Sequence, residues 1–287
     1  MRFMAAKAVD IHAHFPGEGF YGTFQPFIEH LKKYFRTEAR FRDVDEVLKE
    51  FSEAGVSKIV LLPIEASKVS GKPGDTNELF SEIQRKAPDR FIAFATVDPL
   101  SPKQASEELE RAVKDLELKG LKLHPQLQCF RPSDDRAFRV YETAEELGIP
   151  ILFHTGTTGV GAGMEGGYGI LLDYGRPIYV DKVAASFPRL KIIMAHFGWP
   201  WYEEALAVAM HKANVYIDLS GWAPKHIPEI VIKYADTLLR EKMLFGTDYP
   251  MLSPKRWLEE FSKLKLRDES RENILWRNAE KILNIRV

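Results

Sequence analysis

The sequence predicts a single (β/α)8 barrel, and two features of the chain lead to that prediction. Eight short apolar segments alternate with amphipathic segments along the 287 residues, as expected when strands and helices follow one another in one parallel sheet. The apolar segments are continuous, which is typical of strands buried on both faces. An open doubly wound sheet is the alternative, but it would not explain the polar residues found at many strand ends.

The elements follow one another in a regular order. Gly55 suits the C-terminal end of the first long helix, Pro63 stops the second strand, and Gly148 ends the helix before the fifth. The predicted strands are residues 8–11, 58–62, 91–97, 120–123, 150–153, 191–195, 215–219 and 243–245. The predicted helices are 44–54, 76–87, 104–118, 134–147, one ending near 187, 201–211, 227–239, 255–264 and a C-terminal one at 269–283. An aromatic insertion, 15–42, follows strand one, and no linker divides the chain, so we predict one domain, 1–287.

The composition gives no reason to expect nucleic acid or a membrane as a partner. Lys+Arg number 40 and Asp+Glu number 41, so neither charge dominates. No apolar run approaches the length of a transmembrane helix, and the segment before the first strand is too short for a signal peptide. With Cys129 as the one cysteine, no internal disulfide can form. We therefore expect a cytoplasmic protein that acts on a small molecule.

Two histidines at the end of the first strand suggest the start of a metal site. His12 and His14 are two residues apart, and residues at this spacing leave a strand on the same face. Neutral imidazole is a common ligand of zinc-like ions. Alone, the pair is weak support, because two histidines this close also occur in surface turns.

Further polar residues follow other predicted strands, where the active site of a barrel is built. They are His124, His154, His196 and Asp248. His154 and His196 follow wholly apolar strands, where an imidazole without a partner would cost about 1–3 kcal/mol. For His124 a purely hydrogen-bonded role is an equal alternative. His30, His211 and His226 fall outside the strand ends, and we expect them to be solvated.

The ordered segments VDIHAHF, GLKLHP, ILFHTG, IIMAHFG and LFGTDYP, with the closing WRNAEKIL, resemble the amidohydrolase superfamily, in particular its amidohydrolase-related branch of metal-dependent hydrolases and decarboxylases. The resemblance covers essentially the whole chain. It implies a (β/α)8 barrel with one divalent metal, most often zinc, with manganese or iron as alternatives. It assigns the ligands to His12, His14, His154 and Asp248, and the catalytic roles to Asp248 and His196. Barrels of this family often form homodimers.

Lys122 has two possible roles under this resemblance. Binuclear relatives use a carboxylated lysine at the end of strand four, and Lys122 shares a face with His124, two residues later. In the amidohydrolase-related branch, however, a KLHP segment is ordinary and the centre is usually mononuclear. We therefore predict that Lys122 and His124 contact the substrate and keep the bridging role as the alternative.

Three functions are compatible with these residues, and we favour hydrolysis. A zinc ion lowers the pKa of bound water to about 7, so Asp248 and His196 could assist its attack on a lactone, ester or amide carbon. The alternative enzyme is a non-oxidative decarboxylase similar to aminocarboxymuconate-semialdehyde decarboxylase, which shares the His-x-His first strand. Aromatic-acid decarboxylases of the branch often carry Glu at the first of these positions, which slightly disfavours them. A metal-binding protein without catalysis would not need the additional histidine.

The residues that select the substrate are less well defined. Phe15, Trp199 and Trp222 are the aromatic residues we predict at the pocket, although packing is an equal alternative for the aromatics of these loops. Basic candidates for binding a substrate carboxylate are Arg40, Arg42, Lys68 and Arg131. The glycine-rich segment 156–169 lacks phosphate-binding spacing, so we interpret it as a lid or rim. Cys129 is expected to be a small buried residue.

Overall fold

Eight strands form the barrel in a computed structural model that describes residues 7–287. Residues 1–6, on which the signal-peptide argument depends, lie outside the described residues. The strands are β1 Ala8–Ala13, β2 Val56–Leu61, β3 Phe91–Ala93, β4 Leu121–Leu123, β5 Ile151–Phe153, β6 Ile192–Met194, β7 Val215–Asp218 and β8 Met243–Leu244. Each lies within two residues of the predicted start, although β3 is shorter than predicted because side chains of Gln84 and Asn77 take the backbone N–H groups of Ala93 and Thr96.

All strand pairings are parallel, and together they close the sheet into a barrel. The ladders β1-β2-β3 and β4-β5-β6-β7-β8 are each continuous. Single bridges join them, from Ala95 to Leu121 on one side and from Ala13 to Tyr249 on the other. The predicted (β/α)8 barrel is therefore confirmed, and the open doubly wound sheet is not observed.

Helices surround the strands and also cover the end of the barrel where the strands finish. They are α1 Glu18–Thr23, α2 Ile28–Phe35, α3 Val44–Glu53, α4 Ser67–Ser70, α5 Asn77–Lys86, α6 Pro102–Lys114, α7 Pro125–Gln128, α8 Phe138–Glu146, α9 Tyr179–Ser186, α10 Tyr202–His211, α11 Glu229–Ala235, α12 Pro254–Phe261, α13 Asp268–Glu272 and α14 Asn278–Leu283. Local sequence accounts for several of their ends. Asp43 and Glu46 form a capping box at the start of α3, and Pro102 occupies the first turn of α6.

The core has two layers, because successive residues of a strand face opposite sides. Val60, Leu152 and Ile193 point into the barrel, whereas their neighbours Ile151 and Ile192 pack under the helices. Ala279 and Ile282 of α14 join the inner cluster. The lower barrel is therefore a packed apolar plug, which leaves the opposite end for polar side chains.

The insertion after β1 contains α1 and α2, which the sequence analysis did not predict. Phe20, Phe24 and Phe27 form an apolar cluster. Leu127 after β4, Val160 after β5 and Met251 after β8 belong to the same cluster. The insertion is thus held against three loops at the carboxyl ends of the strands, and it walls the cavity described below.

The C-terminal helix is present but not continuous. A π-helical turn, Asn273–Arg277, separates α13 from α14. Ile274 accepts a hydrogen bond from the Phe245 N–H at 2.9 Å, and the Asn278 amide donates to the Met243 carbonyl at 2.8 Å. Because β8 has only two residues, this helix satisfies backbone groups that a longer strand would pair.

Two further expectations can be compared with the structure. Cys129 is exposed, contrary to the expectation of burial, because it ends α7 with a left-handed backbone at a φ of 57°. No helix among residues 7–287 has the length and apolar character needed to cross a bilayer.

Thr247 provides a test of barrel closure. Its hydroxyl donates to Asp10 on β1 at 2.6 Å and its N–H donates to the same carboxyl group at 3.1 Å. At pH 8 we expect Thr247→Val to lower the free energy of unfolding by about 2–3 kcal/mol, because a buried carboxylate loses a donor. Thr247→Ser, which keeps the hydroxyl, should lose less than about half of that. Urea denaturation measures both, and equal stability of the two variants would contradict the role given to this hydroxyl.

Candidate metal centre and active site

Polar side chains from six of the eight strands meet at the carboxyl end of the barrel. There are eight such side chains, and all of them are largely buried, in contrast to most polar residues of the chain. They are His12 in β1, His14 after it, Lys122 in β4, His124 after it, His154 after β5, His196 after β6, Ser220 after β7 and Asp248 after β8. The predicted site residues of these strand ends therefore lie together.

His12, His14 and Asp248 form the tightest group of metal-type donors. Oδ1 of Asp248 lies 3.5 Å from Nε2 of His12 and 3.3 Å from Nε2 of His14. The three donor atoms all lie within 4.8 Å of one another. The β1-β2 register is irregular between Asp10 and Ala13. Such bulges are common beside active sites, where they change the direction of a side chain.

The far side of each candidate imidazole ligand is already fixed by a hydrogen bond. Nδ1 of His12 contacts Asp218 at 2.7 Å, Nδ1 of His14 contacts the Leu62 carbonyl at 2.8 Å, and Nε2 of His154 contacts the Thr157 carbonyl at 3.0 Å. With these nitrogens donating, the opposite nitrogen of each ring carries the lone pair. Metal-binding histidines are held in this way, so the donor set fits a divalent ion.

His154 lies next to this group without joining it in the observed side-chain arrangement. Its Nδ1 contacts Nε2 of His196 at 3.2 Å. The His124 ring stacks on His154 with 3.9 Å between centroids, and Nδ1 of His124 is buried without a hydrogen-bond partner. The hydrogen-bonded alternative for this ring nitrogen of His124 is therefore not observed, and Nδ1 remains available as a donor or acceptor.

A second group, His12, His196 and Asp218, also gathers metal-type donors, but hydrogen bonds occupy them. Nδ1 of His12 and Oδ2 of Asp218 are only 2.7 Å apart. Two donors on a tetrahedral ion with bonds of about 2.1 Å lie about 3.4 Å apart. We therefore describe this second group as side chains that hold the His12 ring in place by hydrogen bonds, and not as a second metal site.

Burial sets the charge of the site. It lowers the pKa of His12, His124 and His154 well below the usual range of histidine, so these rings are neutral and able to bind a metal. Burial raises the pKa of Asp248, but the neighbouring His196 and His14 outweigh that effect and keep it below its ordinary value. Asp248 is therefore ionised at neutral pH.

Lys122 lies beneath the histidines, inside the barrel. Its Nζ is 3.3 Å from Nε2 of His12, and its side chain is 1% exposed. Burial lowers its pKa to about 8, opposed by the charges of Asp248 and Asp218. A cation kept at this depth points to a role in the site.

A cavity of about 490 Å³ opens above these groups. Phe20, Phe24 and Phe35 of the insertion form one wall, and Trp199 with Trp222 forms another, with their ring centroids 4.7 Å apart. Residues 157–160 of the glycine-rich segment contribute to its lining, as expected of a rim.

Phe15 does not line this cavity, contrary to the prediction. It belongs to a separate cavity between the insertion and α5, with Phe41 and Leu79 among its neighbours. Although Phe15 directly follows His14, its ring packs on the outer core of the barrel. Adjacent residues of an extended segment face opposite sides, so proximity to His14 in sequence was misleading.

The predicted basic candidates are engaged elsewhere. Their carboxylate partners are Glu46 for Arg40, Glu50 for Arg42, Asp98 for Lys68 and Asp173 for Arg131. Arg36 and Arg256 line the cavity instead. Which basic side chains reach the cavity depends on the direction in which they point, and residue type alone does not predict that direction.

Asp218 and Ser220 were missed from the sequence. The signal available was a carboxylate within the apolar segment Val215–Asp218, since a buried charge needs a partner. Its partner, His12, is 206 residues away in sequence, so the pair could not be identified without the barrel.

Comparison with known proteins gives several relatives that share most of the chain. Decarboxylase orsB of Emericella nidulans is 29% identical over 261 residues, which span 74% of this chain and 75% of that one. Three further curated relatives are also named decarboxylases. The prediction of hydrolysis is therefore wrong, and these relatives agree with the alternative. The error has a physical reason: three imidazoles and a carboxylate can bind a metal for either reaction.

Solved structures show the same fold. A TIM-barrel protein from Bordetella bronchiseptica matches with a TM-score of 0.84 and 25% identity, covering 97% of this chain and 98% of that one. Dihydroxybenzoic acid decarboxylase from Polaromonas, solved with bound manganese and the inhibitor 2-nitroresorcinol, matches with a TM-score of 0.72 and 17% identity, covering 97% of each chain.

A match along nearly the whole sequence identifies the family of this chain. The model of the family described as amidohydrolase matches residues 9–285, a range that contains every side chain of the site and all eight strands except the first residue of β1. The chain belongs to the amidohydrolase family.

Proposed function

We propose that the protein is a metal-dependent decarboxylase of a small aromatic or conjugated carboxylic acid. The decarboxylase names of the curated relatives carry this proposal. The lining of the cavity agrees with it. Its basic side chains are Arg36 and Arg256, the latter also paired with Glu260, and Asp248 is the one acidic side chain among the described residues that line it. Lys122 adds a positive charge beneath the floor, and basic groups of this kind attract an anionic substrate such as a carboxylic acid.

The walls support a planar, apolar substrate body. Three phenylalanines and two tryptophans line the cavity. Aromatic side chains favour stacked or edge-to-face contacts with another ring, and the polar groups are concentrated on the floor. A flat acid would therefore lie with its carboxylate toward His196, the carbon that bears it toward Asp248, and its ring against the aromatic side chains.

The ligands we propose are His12, His14, His154 and Asp248, as the resemblance implied. A divalent cation bound there would accept oxygen atoms of the substrate and disperse their negative charge. Manganese in the dihydroxybenzoic acid decarboxylase of the same fold supports a divalent ion of this kind, with zinc as the ion first predicted. The hydrogen-bonded far sides of His12, His14 and His154 hold the rings ready for either ion.

Decarboxylation needs one proton at the carbon that bears the carboxylate, and we assign its delivery to Asp248. The side chain of Asp248 is 14% exposed, facing the cavity. Being ionised at neutral pH, it first takes a proton from water, and the hydroxide ion left behind passes to solvent. Asp248 then gives that proton to the carbon, the bond to the carboxylate breaks, its electron pair returns to the conjugated system, and CO2 leaves. The released hydroxide and CO2 combine to bicarbonate, so the overall reaction consumes one water and conserves charge.

His196 and Lys122 complete the proposed site. His196 lines the cavity, and its Nε2, which contacts Nδ1 of His154 at 3.2 Å, can donate a hydrogen bond to a carboxylate oxygen. Lys122 places a positive charge beneath the same floor. Both groups would hold the carboxylate in place and stabilise its charge.

Three sequence predictions stay predictions: one domain over residues 1–287, a cytoplasmic location and a homodimer. A small-molecule substrate is part of the proposal itself, because the cavity of about 490 Å³ has the size of a small-ligand site.

Metal content tests the ligand set. We expect the purified protein to bind about one equivalent of manganese or zinc, and His12→Ala to bind at least about tenfold more weakly, because it loses a ligand. His30→Ala, at an exposed position, is the control and should bind like the wild type. Elemental analysis after dialysis measures all three. Full stoichiometry in His12→Ala would remove His12 from the site.

Product analysis tests the reaction. With manganese-loaded protein and a panel of aromatic and conjugated acids, we expect CO2 release and one new C–H bond per turnover. Asp248→Asn should lower the rate by about 100-fold or more, because the proton carrier is lost, while Asp135→Asn, at an exposed position, should not. Ester or lactone cleavage without any CO2 release would overturn the proposed function.

The pH dependence of stability tests the buried charge of Lys122. Because burial lowers the pKa of Lys122 from 10.5 to about 8, the unfolded state binds more protons between these pH values. Metal-free wild type should therefore lose stability relative to Lys122→Met as pH falls through this window, by about 1.4 kcal/mol per pH unit and about 3 kcal/mol in all. Urea denaturation at several pH values measures the difference, with the exposed Lys119→Met as control. A difference that does not change with pH would show that the folded and unfolded states bind this proton equally, and would contradict the lowered pKa of Lys122.

A further inference from the structure

Ser220 lies between two histidines of the site without belonging to the metal ligands. Its Oγ is 2.9 Å from Nδ1 of His196 and 3.1 Å from Nδ1 of His12. The residue is fully buried, so water does not compete for these contacts. A hydroxyl in this position can influence both rings.

The surrounding hydrogen bonds indicate which ring receives the hydroxyl proton. Nδ1 of His12 donates to Oδ2 of Asp218 at 2.7 Å, so this nitrogen has no lone pair left for Ser220. Oδ1 of the same carboxylate accepts the Ser220 N–H at 2.6 Å, which fixes the backbone of Ser220. Nδ1 of His196 is the nearer of the two ring nitrogens and remains free to accept.

The backbone around His196 also fixes the position of the ring. His196 and Phe197 have left-handed φ values of 58° and 41°, which are uncommon for residues other than glycine. Gly221, next to Ser220, passes so close that a Cβ there would lie 2.6 Å from Nδ1 of His196. Such conformations persist only where the surroundings hold them, so the backbone of His196 is held in place, and the missing side chain at Gly221 leaves room for the ring beside Ser220.

We propose that Ser220 is a positioning residue that sets the tautomer of His196. By donating to Nδ1, it leaves the ring proton on Nε2, which lies 3.2 Å from Nδ1 of His154; both residues line the cavity. His196 then presents an N–H group to a substrate carboxylate and not a lone pair, which would repel it. The inference rests on the proposed function, because it explains how His196 can hold an anionic substrate.

The same network connects the substrate-binding histidine to a metal ligand. Asp218 holds the Ser220 backbone through one oxygen and the His12 ring through the other. The orientation of His196 is therefore coupled to that of His12 through one buried carboxylate. Supporting residues of this kind typically change activity or metal affinity by about 10- to 100-fold when they are removed.

The direct test is the tautomer of His196 in the wild-type protein, reconstituted with zinc because zinc is diamagnetic. In ¹⁵N-histidine correlation spectra, with signals assigned by their loss in His196→Gln, we expect the proton on Nε2. In Ser220→Ala we expect the Nδ1–H form to appear. A wild-type His196 that carries its proton on Nδ1 would overturn the inference, and this measurement requires no substitution of Ser220.

Kinetics with the manganese-loaded enzyme provide the second readout. Ser220→Ala should lower kcat by about 10- to 100-fold with nearly unchanged metal content, whereas Ser220→Thr, which keeps the hydroxyl, should recover most of the rate. Ser270→Ala, which removes another fully buried hydroxyl far from the site, is the matched control. Equal kcat in Ser220→Ala and Ser270→Ala would contradict the positioning role.

These readouts separate the two proposals. If no acid in the panel is decarboxylated but the tautomer changes in Ser220→Ala, the proposed reaction fails and the role of Ser220 stands. If decarboxylation is observed and the tautomer does not depend on Ser220, the reaction stands and only this inference fails.

Discussion

The closure of the barrel between β1 and β8 is the constraint on which the site depends. The Asp248 N–H donates to the His12 carbonyl at 2.8 Å, and the His14 N–H donates to the Tyr249 carbonyl at 2.7 Å. Asp10 binds Thr247 one layer below. These contacts place a carboxylate from the end of the barrel between two imidazoles from its start. A shift of one residue in this register would turn the three side chains away from one another.

The buried charged groups of the site destabilise the folded state, and hydrogen bonds from neighbouring residues compensate for this destabilisation. Lys122, Asp10 and Asp218 are fully buried, and groups of this kind are tolerated only when they are paired or hydrogen-bonded. Each carboxylate has at least two donors. Backbone strain is also present here, since Asp248 has a left-handed φ of 66°, as His196 does. Strain of this sort is typical of positions that function requires.

The fold was predictable because its signals are local and repeated. Continuous apolar segments followed by helices define a parallel barrel, and the ligand-type residues could be placed because barrel sites form where strands end. Trp199 and Trp222 were placed at the cavity for the same reason. The residues that were missed depend on contacts across the barrel: Asp218 and Ser220 acquire their roles only beside His12, from the other end of the chain.

Side-chain direction and reaction type were the two points that the sequence could not decide. Phe15 and the four basic candidates are at plausible positions along the chain, but neighbouring residues point to opposite sides and ion pairs engage the charges. Hydrolysis and decarboxylation use the same kinds of ligands. What separates them is which substrate the space above the ligands binds, and that space is formed by the insertion, the loops and α12 together.

A crystal structure of the manganese-loaded protein with an aromatic carboxylate, with anomalous scattering recorded for the metal, would test the central claim most directly. We predict one anomalous peak, bound by Nε2 of His12 and His14, Nδ1 of His154 and a carboxylate oxygen of Asp248, with the ligand carboxylate beside it and the ring between the aromatic walls. A peak at His12, His196 and Asp218, or a carboxylate bound away from this end of the barrel, would contradict the account.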